Sequence, residues 1–351
     1  MRGTARYLTG LVCGFLAIAA VWVGLFIASF GYYGGFGDRC LAAWYQIKTA
    51  AVVARMHRPK IVLAAGSNVR YGLDAARIER ELGVPCVNYG THASLPLDYL
   101  LHRWRSALQP GDLFIIAPEY RFLERAPDDM NDVFAGYILA EEPGYIWQLS
   151  LLNQIELVLT TDFSRLLMPL FTSFRQNQQM EEVLRLWSQA YYMDEQGDYI
   201  ANAPEAQDKA ALQKILKTGA TENLVNGYRM DNATNDTPYW HEIRKLSNWA
   251  RHHNVRVVYT APSVLAVPEI SNASYRKFFA AVEAHYRALG IPVLITQQEN
   301  IYPEELMFDN IYHLNSKGRT IRTENLMRAL APIVKQQFPG AKGQGVGSNS
   351  R

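Results

Sequence analysis

The N-terminal part of this sequence contains a long segment without charge. Between Tyr7 and Gly37 there is no Asp, Glu, Lys or Arg, and Leu8–Phe30 is apolar or small almost throughout. About 20 such residues are enough to cross a bilayer as a helix. A cleaved signal peptide is the alternative, but its apolar core is usually shorter, about 7–15 residues. The segment therefore predicts one uncleaved transmembrane helix that anchors the rest of the chain.

Positive charge on one side of this segment predicts its orientation. Arg2 and Arg6 precede it, and positively charged flanks of a membrane span tend to remain in the cytoplasm. We expect residues 1–37 to form a cytoplasmic N-terminus and anchor. The rest of the chain would then lie on the periplasmic, extracytoplasmic side of a bacterial inner membrane.

Composition restricts the partners of this chain. The 351 residues carry a net charge of +2, and no basic run or basic–aromatic stripe indicates a nucleic-acid partner. Of the three cysteines, Cys13 lies in the predicted span, while Cys40 and Cys86 lie outside it. A disulfide between the last two is an open alternative, but the apolar surroundings of Cys86 favour a buried free thiol.

Short apolar segments alternate with amphipathic ones, a pattern typical of βαβ units. Helical segments separate most of the apolar runs, which predicts a doubly wound, parallel five-stranded sheet of the flavodoxin-like kind. The predicted strands are Ile61–Ala65, Val84–Val87, Leu113–Ala117, Val255–Tyr259 and Pro292–Ile295.

The alternation is interrupted by a long segment without strand signals. We expect a connecting helix within 38–59, an α/β domain over 60–338 with a helical insertion at about 121–238, and a disordered Gly/Ser-rich tail over 339–351. Inside the insertion, the apolar residues between Leu151 and Phe171 either pack on the core or form a surface for lipid or a membrane partner.

The first predicted strand runs directly into Gly66 and Ser67. A serine on a tight turn at the carboxyl end of a central strand lies at the rim of an open α/β sheet, where ligands bind. Backbone N–H groups on such a turn can point at a developing oxyanion. Ser67 is therefore a candidate nucleophile; the alternative is that it caps a following helix.

Near the C-terminus, Asp309 and His313 lie in a predicted loop between the fifth strand and the last helix. That loop would share a sheet edge with Ser67. A serine nucleophile needs a base, and the base needs an acid that fixes its tautomer. Ser67, His313 and Asp309 supply this set, with Asn310 as the alternative partner of the histidine.

The combination resembles the SGNH (GDSL-like) hydrolase superfamily over about residues 60–120 and 254–330. The resemblance implies that Ser67, in Gly66-Ser67-Asn68, is the nucleophile, and that Gly90, in Asn88-Tyr89-Gly90, donates to the oxyanion. It also implies that Asp309 and His313 complete the triad.

The sequence departs from that family at two positions. Glu119 follows the third strand where the family has an asparagine that donates to the oxyanion, and an ionised carboxylate only accepts. The oxyanion would then depend on Ser67 and Gly90 N–H groups, with help from Asn68, unless catalysis is impaired. The family's acid stands three residues before the histidine; that position is Asn310, and Asp309 is one earlier.

The membrane-anchored layout is similar to SGNH proteins of cell-envelope acylation, such as alginate acetylation and D-alanine transfer to teichoic acid. This resemblance implies a membrane-bound O-acyltransferase as partner and an exopolysaccharide or cell-wall glycan as substrate. It implies serine-dependent O-acyl transfer, of an acetyl group by preference, or ester hydrolysis.

Two other classes of function are compatible with a parallel sheet. The first is a non-catalytic assembly or carbohydrate-binding protein that keeps the fold, which Glu119 favours. The second, a phosphate- or nucleotide-binding protein, is disfavoured because no Gly-rich loop with a lysine follows the first strand. Because no Cys/His cluster has metal-ligand spacing, we expect no metal and no cofactor.

Overall fold

The structure is a computed structural model and describes residues 2–173, 176–177, 192–217 and 230–341. Of the tail predicted to be disordered over 339–351, residues 342–351 lie outside the described residues. The chain divides into two compact units, one of residues 1–43 with 130–191 and one of residues 44–129 with 192–351. The predicted insertion at about 121–238 is therefore shared between both units.

Helices dominate the described residues, and one of them is suited to a membrane. The N-terminal helix α1 is long and apolar enough to cross a bilayer. The α-helices are α1 Arg2–Ala28, α2 Phe36–Ala54, α3 Ser67–Gly72, α4 Ala75–Leu82, α5 Leu97–Ser106, α6 Asp132–Glu141, α7 Leu151–Thr160, α8 Phe163–Phe171, α9 Lys209–Lys217, α10 Met230–Thr234, α11 Pro238–His252, α12 Ala273–Ala288 and α13 Ser316–Gln337.

A five-stranded, fully parallel sheet forms the centre of the second unit. Its order is β2-β1-β3-β4-β6, so the chain reverses its direction of winding between β1 and β3, the point at which ligands bind in open α/β sheets. A second sheet of two short strands, β5 and β7, was not predicted. The strands are β1 Ile61–Ala64, β2 Cys86–Asn88, β3 Leu113–Ile116, β4 Arg256–Thr260, β5 Val264–Leu265, β6 Val293–Ile295 and β7 Ile301–Tyr302.

The prediction of a five-stranded parallel sheet is confirmed, and each strand lies within two residues of its predicted bounds. In β1 and β3 every residue is buried, and strands of a parallel sheet covered on both faces read as continuous apolar runs. Cys86 in β2 is a buried free thiol, as expected. Helix α2 begins at Phe36, two residues before the predicted connecting segment, and Asp38 in its first turn is favourable near the positive end of the helix dipole.

A buried ion pair joins the two central strands at their amino ends. Lys60 Nζ donates to Asp112 Oδ2 at 2.6 Å, and Lys60 N donates to Asp112 Oδ1 at 2.9 Å, with both side chains fully buried. Burial raises the pKa of Asp112, although the lysine opposes that shift. Removal of one partner would leave the other buried charge unpaired. The pair therefore holds together the two residues that lead into β1 and β3.

Helix α4 follows the capping rules closely. Asp74 is its N-cap and accepts from Arg77 N, while Gly83 ends the helix with φ of +69°. A left-handed residue at this position favours glycine because it has no Cβ. A short helix, α3, precedes α4 and begins at Ser67.

Candidate functional site

Ser67 is the first residue of α3 and follows β1 after a two-residue connection. Gly66 occupies the N-cap position, and no side chain makes a capping hydrogen bond there. The Ser67 hydroxyl therefore does not serve as the N-cap of this helix. The side chain is partly exposed, while the residues on both sides of it are buried.

Glu119 holds the connection that carries Ser67. Its carboxylate accepts from Gly66 N at 3.1 Å and from Asn68 N at 2.9 Å, and the residue is only 1% exposed. A Cβ on Gly66 would lie 2.6 Å from Glu119 Oε1, so the close approach requires glycine. Glu119 acts here as an acceptor for backbone N–H groups on either side of the serine.

The Asn68 side chain is part of a buried hydrogen-bond network. Its Nδ2 donates to Ala117 O at 2.7 Å, and its Oδ1 accepts from Arg322 at 3.0 Å. Arg322 also donates to Asn68 O at 3.0 Å and to Ala261 O at 3.1 Å. Burial lowers the pKa of Arg322 to about 10. The Asn68 side chain thus ties α3 to α13, the helix that carries Arg322.

His313 and Asp309 form a close pair. His313 Nδ1 lies 2.6 Å from Asp309 Oδ1, whereas the Asn310 side chain accepts from Tyr312 N at 3.3 Å. A carboxylate on Nδ1 favours the tautomer with hydrogen on Nδ1, which leaves the Nε2 lone pair able to accept a proton. Of the two candidate acids, Asp309 is the one that contacts the histidine.

Tyr71 connects the serine helix to the histidine loop. Its ring stacks on the His313 ring at 4.2 Å between centroids. Tyr71 stands four residues after Ser67 in α3, and residues four apart lie on the same helix face, about 5–6 Å between Cβ atoms. The structure thus brings Ser67 and His313 to one edge of the sheet, but in the described part of the chain they share no hydrogen bond.

Gly90 follows β2, and its N–H donates to Asn88 Oδ1 at 3.1 Å. A Cβ on Gly90 would lie 2.6 Å from Arg70 N, so this glycine packs directly against α3. Two of the candidate oxyanion donors, the Asn68 and Gly90 N–H groups, thus have other acceptors in this structure. Reorientation would be needed before they could bind a substrate oxygen.

Several residues around the site were not identified from the sequence. The Arg70 guanidinium lies 3.8 Å from the Trp44 ring centroid and donates to the Tyr71 hydroxyl at 2.6 Å. Asn202, in the predicted insertion, donates to Tyr71 O at 3.0 Å and to Leu314 O at 2.8 Å. The spacing of these residues in the sequence does not indicate that they meet at one site. Only Arg70 and Tyr71, three and four residues after Ser67, could have indicated polar and aromatic side chains beside the serine.

His92 is a further residue missed at this edge. It follows Gly90 by two positions, and its ring stacks on that of Trp44 at 6.3 Å. In the described ranges, no group of three or more His, Cys, Asp or Glu side chains is arranged to hold a metal ion.

Comparisons with known proteins identify no family. No family model matches the sequence, and no curated protein matches it. Among solved structures, one similarity is to the C-terminal domain of glucosamine-fructose-6-phosphate aminotransferase from Francisella tularensis. The match has 10% identity and a TM-score of 0.15, and covers 89% of this chain and 98% of that one. A score this low supports no conclusion about fold or function, and the site has to be interpreted from its own geometry.

Proposed function

We propose that this protein is a membrane-anchored SGNH-type acyltransferase or esterase that uses Ser67 as its nucleophile. It would transfer an acyl group to an extracytoplasmic glycan or hydrolyse an ester on one, and a membrane-bound O-acyltransferase would be the partner. The observation that carries the proposal is the His313–Asp309 pair, whose histidine stacks on Tyr71 of the helix that begins at Ser67.

The chemistry follows from the three side chains. Ser67 Oγ attacks the acyl carbonyl, and its proton passes to His313 Nε2 while Asp309 stabilises the imidazolium. The tetrahedral intermediate collapses, His313 protonates the leaving oxygen, and an acyl-enzyme remains. A glycan hydroxyl or water then gives its proton to His313 and attacks the acyl carbon. When this second tetrahedral intermediate collapses, His313 returns the proton to Ser67 Oγ, which restores the serine. Transfer and hydrolysis differ only in this acceptor.

A serine-directed fluorophosphonate and an activated ester test the nucleophile in the full-length protein. Losing the nucleophile or the base of a triad lowers turnover by about 10⁴–10⁶, because its members act as a unit. Ser67→Ala and His313→Ala should therefore fall to similar residual activity, and the double variant should be little worse. Ser164→Ala, which changes an exposed serine of α8, is the matched control and should keep full activity.

Two results would contradict the proposal. The first is unchanged modification of the glycan in cells that carry Ser67→Ala. The second is phosphonate labelling that persists in the same variant. If the purified protein hydrolyses esters but cells without it keep or gain glycan esters, the activity is that of an esterase.

A second candidate function, non-catalytic assembly or carbohydrate binding, is favoured by one observation. The Gly66 and Asn68 N–H groups beside Ser67 bond to the Glu119 carboxylate, and Gly90 N–H bonds to Asn88. A fold that retains the sheet but uses these donors internally has weaker oxyanion stabilisation. This candidate predicts glycan binding by the Ser67→Ala variant at wild-type affinity and no acyl adduct on the wild-type protein.

A further inference from the structure

Helices α7 and α8 expose a set of large apolar side chains, which we name the α7–α8 apolar face. Exposure ranges from 47% at Ile155 to 81% at Trp147 and Phe171. Contiguous exposed apolar surface of this kind marks an interaction site. The face consists of Leu151, Leu152, Ile155, Leu159, Phe163, Leu170 and Phe171 of the two helices, together with Trp147 from the 3₁₀ turn before α7.

The apolar face is not needed for the core of its unit. Leu157 and Leu166 are fully buried and supply the packing side of the two helices. Asp38 and Arg165 form a buried ion pair at 2.8 Å, and Arg165 also donates to Gly136 O, which holds α8 to α6. Because Leu157 and Leu166 already pack the inner side of each helix, the outer apolar side is available for contacts outside this unit.

The membrane helix α1 packs directly against this pair of helices. Trp22 Nε1 donates to Val158 O at 2.8 Å, and the Trp22 ring stacks on Phe163 at 6.1 Å. Phe26 is buried on the same side of α1, whereas Val23 and Ile27 on the other side are exposed. The α7–α8 apolar face therefore meets α1 at Phe163, near the C-terminal end of that helix.

The position of Trp22 sets the depth of that surface. It lies in the last two turns of a span that ends at Ala28, and tryptophan is enriched where a bilayer meets water. Amphipathic helices bury their apolar sides about 5–10 Å into this boundary. The charged residues Glu156, Asp162 and Arg165 of this segment include no unpaired base, so apolar burial rather than anionic lipid would hold it.

We propose that the α7–α8 apolar face is embedded in the bilayer interface, with lipid acyl chains as its occupant. This gives the unit a second attachment to the membrane beside α1. The inference does not depend on the proposed acyl chemistry.

Depth-dependent fluorescence quenching in the full-length protein tests this surface. A Cys13→Ser background removes the exposed native thiol, while Cys40 and Cys86 are buried. An environment-sensitive dye on Leu152→Cys, in phosphatidylcholine vesicles, should be quenched by brominated lipid and shielded from iodide. A dye on Thr160→Cys, exposed on the same helix but away from the apolar residues, is the matched control. We expect several-fold stronger lipid quenching at position 152.

Equal quenching by iodide at Leu152→Cys and Thr160→Cys in pure lipid vesicles would overturn the proposal. The apolar face would then be exposed to water in the membrane-bound protein, and its partner would be another protein. A dye on Phe171→Cys gives a second, independent position. All three labelled proteins must keep the wild-type thermal transition, which distinguishes exposure of the face from unfolding.

His92 is a candidate donor to the oxyanion of the proposed reaction. His92 precedes Ala93, whose N and Cβ would each lie 2.7 Å from a Cβ on Gly66, so the His92 segment packs against the residue before Ser67. His92 Nδ1 accepts from Ser94 N at 3.1 Å. In a neutral ring with Nδ1 as acceptor, the hydrogen is on Nε2. Within the described ranges, this Nε2–H has no hydrogen-bond partner.

Burial and the positive charge of Arg70 lower the pKa of His92 from 6.5 to about 4. The ring is therefore neutral near pH 7 and can donate a hydrogen bond without competing with His313 as a base. A neutral imidazole that donates to a developing oxyanion is an established catalytic device.

We infer that His92 Nε2–H donates to the oxyanion in place of the donor that Glu119 cannot provide. This inference rests on the proposed serine chemistry. Removal of one oxyanion donor lowers kcat by about 10²–10³ in a serine enzyme. His92→Ala should thus lower kcat on an activated ester by that factor with little change in KM. His92→Gln, whose amide also donates, should recover part of the loss.

The outcomes separate the two proposals. If Ser67→Ala abolishes turnover and His92→Ala leaves kcat unchanged, the oxyanion inference is wrong and the serine proposal stands. If both variants turn over the ester like the wild type, the serine proposal fails. A rise in KM with unchanged kcat in His92→Ala would show a substrate-binding role and would also overturn the inference.

Discussion

The Glu119 carboxylate connects the residues that present Ser67 to the rest of the sheet. It accepts from N–H groups on either side of the serine, and it lies near the buried Arg322 guanidinium that bonds to Asn68. A buried carboxylate of this kind is stable because its lone pairs meet backbone donors. In place of a substrate-facing donor, this chain has an internal acceptor at position 119.

Glu119→Gln tests that role at the level of one side chain. The amide directs an NH₂ group at a backbone donor and weakens charge-assisted hydrogen bonds, each of which contributes about 1.5–3 kcal/mol. We expect a lower free energy of unfolding by that amount, measured by urea denaturation. Glu205→Gln, at an exposed position, should change it by less than about 0.5 kcal/mol. Equal stability of the two variants would refute the role.

The depressed pKa of His92 predicts a pH dependence of stability. Its pKa is about 4 in the folded state against 6.5 as the ordinary value, so the unfolded chain binds more protons between these limits. Stability from this group is present above pH 6.5 and is lost as the pH falls toward 4. His92→Gln should reduce the fall of Tm between pH 6.5 and pH 4. An unchanged fall of Tm in this pH range would contradict the lowered pKa of His92.

At the level of elements, the site depends on the contact between α3 and the loop before α13. Tyr71 stacks on His313, and Asn202 donates to backbone carbonyls on both sides of that contact. Asn202 comes from a part of the chain that the sequence assigned to an insertion, yet it holds the two candidate catalytic segments together.

Asn202→Ala should loosen that junction. It leaves the buried carbonyls of Tyr71 and Leu314 without their donor, and an unsatisfied buried acceptor costs about 1–3 kcal/mol. We expect lower stability and lower turnover together, measured by thermal unfolding and ester hydrolysis. Asn248→Ala, at an exposed position of α11, is the control. A variant with unchanged stability would show that other contacts hold the junction.

For the whole molecule, the decisive feature is α1. At 27 residues and about 1.5 Å per residue, it exceeds the roughly 30 Å of a bilayer's hydrocarbon core. Arg2 and Arg6 lie in its first two turns, before the uncharged stretch, and positive charge at that end favours an N-terminus in the cytoplasm. The candidate site lies in the unit that follows α1 in the chain, so its compartment would depend on the orientation of α1 in a membrane.

Reporter fusions after Gly37 test that orientation. A periplasmic reporter should be active, a cytoplasmic one inactive, and the protein should remain in the membrane fraction at full length. As a control, replacing Arg2 and Arg6 and adding lysines after Gly37 should weaken or invert the orientation. A shortened soluble product would indicate a cleaved signal peptide instead.

The sequence by itself determined the features that depend on local pattern. Continuous apolar strands such as Ile61–Ala64, the Asp74 and Gly83 caps of α4, and the uncharged span all follow from residue type and spacing. Neighbouring residues decide these features, so one sequence is sufficient to predict them.

Tertiary structure alone decided the contacts between residues that are far apart in the chain. Nothing near Glu119 shows that it will face Gly66 and Asn68, and nothing near Asn202 shows that it will join Tyr71 to Leu314. Hydrogen-bond partners depend on distance and direction after packing, because a buried polar group bonds to whichever complementary group the fold brings within about 3 Å. Sequence spacing predicts which residues can act, and the packed chain decides which donors remain for a substrate.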